Sequence, residues 1–177
     1  MSDWIYIAGV DIGVRKVSVV EGWVRYMEVD FTVDSIALNS RESKERDMAE
    51  AWLALQDWLD LRIKRDDMKE HKVFIEEPPY VHNHRTAMLL SATYGVVSTV
   101  FASNGFEVLG VPVSEWKKVV VGKGNATKEE VRRWAVEMWP NIGVESLSQD
   151  EIDALAVFHY GIETTRKEQG VIDELSM

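Results

Sequence analysis

Cysteine is absent from this chain of 177 residues, and proline occurs only four times. The absence of cysteine excludes a disulfide framework and any thiolate metal site, and it is compatible with a reducing, cytoplasmic location. No linker and no low-complexity segment interrupts the sequence. Because 46% of the residues are hydrophobic, the chain can bury one sizeable core. We therefore predict a single domain over residues 1–170, followed by a flexible tail at 171–177.

Long hydrophobic runs are scarce as well. The N-terminal residues lack the basic and apolar segments of a secretory signal. Only residues 86–102 form an apolar stretch long enough to suggest a membrane span. Six hydroxyl-bearing side chains interrupt this stretch, so it is more typical of a buried helix or a subunit interface. We expect a soluble protein with no membrane partner.

Positive charge is also in deficit, because 20 Lys and Arg residues face 30 Asp and Glu residues and give a net charge of −10. This sign disfavours nonspecific phosphate binding. The charge is unevenly distributed, however. Residues 116–134, which we call the basic segment, carry six cations and two anions. The cations are Lys117, Lys118, Lys123, Lys128, Arg132 and Arg133. A basic surface on an acidic body therefore remains a plausible footprint for nucleic acid.

Apolar patterning predicts the order of the secondary structure elements. A continuous apolar run at 4–10 precedes two β-rich segments, and together they indicate three antiparallel strands. Strands and helices then alternate, which is typical of parallel pairing. The expected strands are 4–10, 17–29, 31–38, 72–76 and 106–111, and the expected helices are 43–63, 83–103, 127–138 and 148–167. We predict an α/β fold with a mixed five-stranded sheet flanked by helices.

Four carboxylates lie at the ends of apolar elements: Asp11, Glu76, Asp150 and Asp153. Each has a simpler explanation when taken alone, since an Asp can bond its own turn and first-turn acids are favoured by the helix dipole. Glu76 is the least easily explained, because it follows a strand that looks buried on both faces. Together the four could hold two divalent cations about 3.5–4 Å apart for phosphodiester hydrolysis. All-oxygen ligands favour Mg²⁺, with Mn²⁺ as a substitute.

Four motifs in sequence order resemble those of the RuvC-type Holliday junction resolvases, which have the ribonuclease H-like fold. The similarity covers residues 5 to about 160. The matching segments are Gly9-Val10-Asp11-Ile12-Gly13, Phe74-Ile75-Glu76-Glu77, Val120-Val121-Gly122-Lys123-Gly124-Asn125-Ala126-Thr127-Lys128 and Asp150-Glu151-Ile152-Asp153-Ala154-Leu155-Ala156. Three positions depart from the family pattern: Ile12 replaces the usual Pro, Val14 stands where many members have Ser, and Tyr80 lies one position from the family's aromatic probe of the junction centre.

The resemblance implies a metal-dependent endonuclease that acts as a homodimer on four-way and other branched DNA. It implies that Asp11, Glu76, Asp150 and Asp153 are catalytic metal ligands. It also maps the family's two functional lysines onto Lys117 and Lys128, although either could be an ordinary phosphate contact. The expected DNA contacts are Lys117, Lys118, Lys123, Lys128, Arg132, Tyr80 and Arg85. The sequence carries no motif that identifies a helicase partner.

We expect the homodimer to form largely through the 83–103 helix, which carries apolar side chains on more than one face. These include Met88, Leu89, Ala92, Val96 and Val100. Three other functions remain open from the sequence: a catalytically silent ribonuclease H-like module that binds branched nucleic acid, a YqgF-type RNA nuclease, and a relative of actin-like ATPases and kinases. The last of these is disfavoured because such proteins need a duplicated lobe, which 177 residues do not supply.

Overall fold

A computed structural model describes residues 4–26, 28–38, 44–62 and 70–170. Within these ranges the strands are β1 (Ile5–Ile12), β2 (Lys16–Arg25), β3 (Glu28–Ala37), β4 (His71–Glu76) and β5 (Glu107–Val111). The helices are α1 (Lys44–Arg62), α2 (His84–Ser103), α3 (Val113–Val121), α4 (Lys128–Met138) and α5 (Gln149–Glu168), with a 3₁₀ helix at Val144–Ser146. The predicted ends of the first helix at 43 and 63, and the predicted tail at 171–177, lie outside the described residues.

The five strands form one mixed sheet in the order β3-β2-β1-β4-β5. The β1–β2 and β2–β3 pairs are antiparallel, whereas β1–β4 and β4–β5 are parallel. This topology confirms the predicted α/β sheet, with three antiparallel strands followed by parallel ones. Because β1 and β4 run in the same direction and Val10 is paired with Ile75, the residues that follow both strands emerge at the same edge of the sheet.

The hairpin between β2 and β3 turns earlier than predicted. The boundary expected near residue 30 is wrong, because Asp30 pairs with Trp23 inside the ladder. The chain reverses instead after Arg25, where Tyr26 has a φ of 49°. The loose alternation over residues 17–38 does not fix where the turn falls.

Helix α3 was not predicted. It overlaps the start of the basic segment and ends in three consecutive valines, which have low helix propensity. Trp116 and Val120 lie one helical turn apart and are both buried, so packing against the core overrides the propensity. The helix ends at Gly122, whose φ of 88° is in the left-handed region favoured by glycine.

Helix α5 covers one face of the sheet at very close range. A Cβ atom on Gly9 would lie 2.2 Å from the backbone nitrogen of Phe158, and one on Gly161 would lie 2.5 Å from the ring of Phe74. The glycines therefore let the helix backbone rest directly on β1 and β4. A capping box formed by Ser148 and Glu151 begins the helix, as predicted.

Helices α1 and α2 cover the opposite face. Helix α2 is long and apolar enough to cross a membrane by length and composition, but it buries one side within the protein. Val100 belongs to that buried side, so it does not contribute to the outward face. The outward side carries mainly small residues, namely Ser91, Ala92, Gly95, Thr99, Ala102 and Ser103, together with Met88.

Candidate active site

Asp11 and Glu76, two of the four predicted acids, lie at the same edge of the sheet because of the geometry of their strands. Successive side chains of a strand point to opposite faces, so Asp11 shares the face of Ile7 and Gly9, and Glu76 shares the face of Phe74. That face is the one covered by α5. Because β1 and β4 are adjacent and parallel, Asp11 and Glu76 emerge side by side at its carboxyl edge. The first turn of α5 supplies Asp150 and Asp153 to the same edge.

Neighbouring side chains orient two of these carboxylates. The indole Nε1 of Trp116, on α3, donates a hydrogen bond of 2.8 Å to Oε2 of Glu76. The amide Nε2 of Gln149 donates one of 2.9 Å to Oδ1 of Asp153. Trp116 is buried, so its bond fixes the position of Glu76 from inside the core. Both contacts leave the second oxygen of each carboxylate available for another partner.

The electrostatics show that the acids share one environment. Burial, reinforced by the charges of Glu76, Asp153 and Asp150, raises the pKa of Asp11 to about 8. Burial also raises the pKa of Glu76 to about 7, against the lowering effect of the Trp116 hydrogen bond. The pKa of Asp153 is raised as well, chiefly by burial. Ionisation of the cluster at neutral pH is therefore unfavourable unless cations are close by.

Two predicted lysines provide such cations. The positive charge of Lys117 lowers the pKa of both Glu76 and Asp153, and that of Lys128 lowers the pKa of Asp153. Lys117 is held in place because its Nζ donates a 2.8 Å hydrogen bond to the carbonyl of Ala126. The structure thus brings both lysines to the acids, on the side formed by α3 and α4.

Lys16 is a third cation at the site, and it was not predicted from the sequence. Its Nζ lies 3.1 Å from Oδ2 of Asp150 and donates a 3.1 Å hydrogen bond to Oγ of Ser148. It is the first residue of β2, directly after the turn that follows Asp11. Its position in that turn was a signal that could have identified it, because the antiparallel return of β2 necessarily places it near the same edge.

The chemistry of the four donors fits a hard divalent cation such as Mg²⁺ or Mn²⁺. Among residues 4–26, 28–38, 44–62 and 70–170, however, no group of three acidic or histidine side chains is arranged as a metal site. Contacts with Lys16, Trp116 and Gln149 engage one oxygen each of Asp150, Glu76 and Asp153. The acids are therefore electrostatic neighbours whose oxygens do not converge on one point.

The expected DNA contacts have different surroundings. Lys118, Lys123 and Lys128 are exposed, and Lys123 forms a 2.5 Å ion pair with Glu130. The guanidinium of Arg132 instead donates hydrogen bonds of 3.3–3.4 Å to the carbonyls of Val144 and Leu147. Arg132 therefore braces the segment that leads into α5.

Tyr80 lies beyond the carboxyl end of β4, on the segment that leads into α2, and Arg85 follows just after that segment. The ring of Tyr80 is 87% exposed and packs edge-on against His82. Arg85 is exposed in the first turn of α2. Both side chains are accessible to a ligand that approaches the acid edge of the sheet.

The sheet order and the acids at its edge define the class of protein, which is a nuclease of the ribonuclease H-like fold. The family described as "Crossover junction endodeoxyribonuclease RuvC" matches residues 7–159. The chain belongs to this family and is a junction-resolving endodeoxyribonuclease. Family membership also places it among intracellular enzymes that process DNA, and it excludes the actin-like alternative.

Individual proteins of this kind are similar to the chain over most of its length. The crossover junction endodeoxyribonuclease RuvC of Protochlamydia amoebophila is 27% identical over 161 residues, which cover 89% of this chain and 90% of that protein. The structure of RuvC from T. thermophilus in complex with Holliday junction substrate superposes with a TM-score of 0.71 at 19% identity, and covers 90% of this chain and 96% of that one. The yeast mitochondrial Holliday junction resolvase Ydc2 gives 0.56 at 12% identity, with 92% and 82% covered.

Proposed function

We propose that this chain resolves four-way DNA junctions through a metal site formed by Asp11, Glu76, Asp150 and Asp153. The observation that carries the proposal is that β1, β4 and α5 bring these acids to one edge of the sheet, where the charges of the other three help to raise the pKa of Asp11. Two Mg²⁺ ions, or Mn²⁺ in their place, would supply an activated water and stabilise the leaving oxygen of the phosphodiester. Residues 1–170 act as a single nuclease domain.

The residues around the acids have distinct roles in this proposal. Trp116 and Gln149 hold Glu76 and Asp153 in fixed orientations, so their carboxylates need little reorganisation during the reaction. Lys117 and Lys128 stand beside the same two acids and neutralise negative charge on the scissile phosphate. Because Trp116 is held by the core and Lys117 by the carbonyl of Ala126, the site is preorganised on that side.

The DNA lies across the exposed part of the basic segment. Lys118, Lys123 and Lys128 project from the region of α3 and α4 that borders the acids, and they supply phosphate contacts in spite of the overall negative charge. Tyr80 and Arg85 extend the contact surface at the other side of the acid edge. Arg132 contributes indirectly, through its hydrogen bonds to the segment before α5.

The enzyme acts in the cytoplasm as a homodimer that forms through the outward side of α2. Small side chains on this side allow two copies of the helix to approach closely. A four-way junction is two-fold symmetric, so two active sites related by a C₂ axis match the substrate and can place paired nicks. The outward residues are small rather than large and apolar, which makes close helix packing the basis of the interface.

The test compares cleavage of a four-way junction, a replication fork and a linear duplex by the purified chain with Mg²⁺. We expect paired symmetric nicks in the junction and little cleavage of the duplex. Asp11→Asn, Glu76→Gln, Asp150→Asn and Asp153→Asn should each lower the cleavage rate by more than about a hundredfold. Junction binding should persist, because affinity comes mainly from phosphate contacts.

Glu145→Gln is the matched control, since Glu145 is an exposed acid in the 3₁₀ helix just before α5. This variant should cleave like the wild-type chain. Near-normal cleavage by two or more of the four acid variants would refute the metal-site assignment. Junction binding without any cleavage by the wild-type chain would favour the catalytically silent module instead.

A further inference from the structure

Lys16 joins two parts of the site that are distant in sequence. Its backbone is fixed by the tight turn after β1, where the amide of Gly13 donates a 2.9 Å hydrogen bond to the Lys16 carbonyl. Its ammonium group reaches the first turn of α5 and contacts Asp150 and Ser148 at 3.1 Å each. One side chain therefore links the β1–β2 hairpin to the helix that carries two of the four acids.

The cations of the site act on different acids. Lys117 and Lys128 act on Glu76 and Asp153. Lys16 is in direct ion-pair contact with Asp150, and its charge also lowers the pKa of Asp11. The Lys16 and Asp150 side chains are 33% and 48% exposed. The pair is therefore accessible to solvent, and the flexible lysine can leave without any movement of the backbone.

We propose that Lys16 is a positioning residue that holds Asp150 as an internal counter-cation and competes with a divalent metal ion for this carboxylate. This inference rests on the proposed metal site. The ammonium group of Lys16 occupies Oδ2 of Asp150 and repels an ion that approaches the same carboxylate, so an arriving ion displaces it. Until then, Lys16 keeps the start of α5 attached to the hairpin that carries Asp11, and it lowers the affinity of the site for metal.

Calorimetric titration of the full chain with Mn²⁺ tests the competition. Lys16→Met removes the charge and retains the length of the side chain. The dissociation constant for Mn²⁺ should fall about two- to fivefold, which is the range expected for a partly exposed ion pair. Lys16→Arg keeps the charge and should stay close to the wild-type value.

Lys167→Met provides the matched control. Lys167 is an exposed lysine in the last turn of α5, roughly 25 Å along the helix from Asp150, which is well beyond the Debye length of about 8 Å at physiological salt. Its loss should leave the Mn²⁺ affinity unchanged. If Lys16→Met and Lys167→Met increase the Mn²⁺ affinity equally, the effect comes from the overall charge of the protein, and the proposal is overturned.

Thermal unfolding gives a second readout that a purely structural role would not produce. In EDTA, Lys16→Met should melt below the wild-type chain, because Asp150 loses its counter-cation. At saturating Mn²⁺ the difference should disappear or reverse, since the ion then takes over that role. A deficit of the same size in both conditions would overturn the competition, as would an unchanged or weaker Mn²⁺ affinity. A wild-type chain that binds no Mn²⁺ would instead refute the metal site itself.

Discussion

On one face of the sheet, α5 rests so closely on the strands that Gly9 and Gly161 leave no space for a Cβ atom. On the other face, α2 buries only one of its sides, and a Cβ atom at Gly95 would meet no atom within 4 Å. The α5 face carries the acids, and its tight packing fixes where they lie. The α2 face leaves a surface open, and this is where we propose that a second copy of the chain binds. Under that proposal, catalysis and assembly use opposite sides of one sheet.

A substitution at Gly9 should break the close packing and have the largest effect. In Gly9→Ala the added Cβ would lie 2.2 Å from the Phe158 backbone nitrogen, and a backbone atom cannot rotate away as a side chain can. We expect a loss of about 2–3 kcal/mol in the free energy of unfolding by urea denaturation. Displacement of α5 would also separate Asp150 and Asp153 from Asp11, so junction cleavage should be lost.

The control for Gly9→Ala is Ala37→Val, which adds carbon atoms at an exposed position of β3. Its effect on the free energy of unfolding should stay within about 0.5 kcal/mol. A Gly9→Ala chain with normal stability and normal cleavage would contradict the role assigned to the close contact.

Charge on the open side of α2 should affect assembly while leaving the fold intact. Gly95→Glu adds a side chain where there is space, and replacing a helical glycine raises helix propensity. We expect a folded monomer in sedimentation experiments at micromolar concentration. This monomer should nick junctions singly without resolving them, and Ala37→Glu on β3 should remain dimeric. A Gly95→Glu chain that stays dimeric would move the interface elsewhere, and full resolution by a monomer would defeat the dimer proposal.

The last prediction concerns pH and reports on the buried acids directly. The pKa of Asp11 is raised to about 8 and that of Glu76 to about 7, against ordinary values of 3.8 and 4.5. Between about pH 4 and pH 8 the folded chain therefore holds more protons than the unfolded chain, and its stability falls as pH rises. In EDTA, the melting temperature should decrease from pH 5 to pH 8.5.

Asp11→Asn should flatten this decrease, because the amide does not ionise. Asp30→Asn, at an exposed position of β3, should leave the decrease unchanged. If the melting temperature in EDTA rises over the same range, or if Asp11→Asn follows the wild-type curve, the pKa values of these acids are not raised in the folded chain.

The sequence predicted the sheet and the placement of the acids because both depend on short-range patterns. The apolar runs before Asp11 and Glu76 indicate buried strands, and adjacent parallel strands must end at a common edge. Other features depend on contacts between distant segments. Helix α3 forms in spite of the low helix propensity of its valines, because Trp116 is buried in the core. Lys16 contacts Asp150 only after α5 has packed on the sheet. The contacts of Arg132 could not be predicted for the same reason. The sequence does not distinguish an arginine that is exposed to solvent from one that donates hydrogen bonds to backbone carbonyls.

The distribution of the acids along the chain also affects the order in which the enzyme can form. Asp11 belongs to the first described strand and Asp153 to the last described helix. Long-range pairing of this kind is slow, because a large loop must close before its contacts are gained. A chain emerging from the ribosome can pair β1 with β2 early, yet it lacks half of its acids until α5 has been synthesised and packed against Gly9. Under the proposed metal site, a chain in which α5 has not docked lacks two of the four ligands, so nuclease activity should begin only when folding is complete.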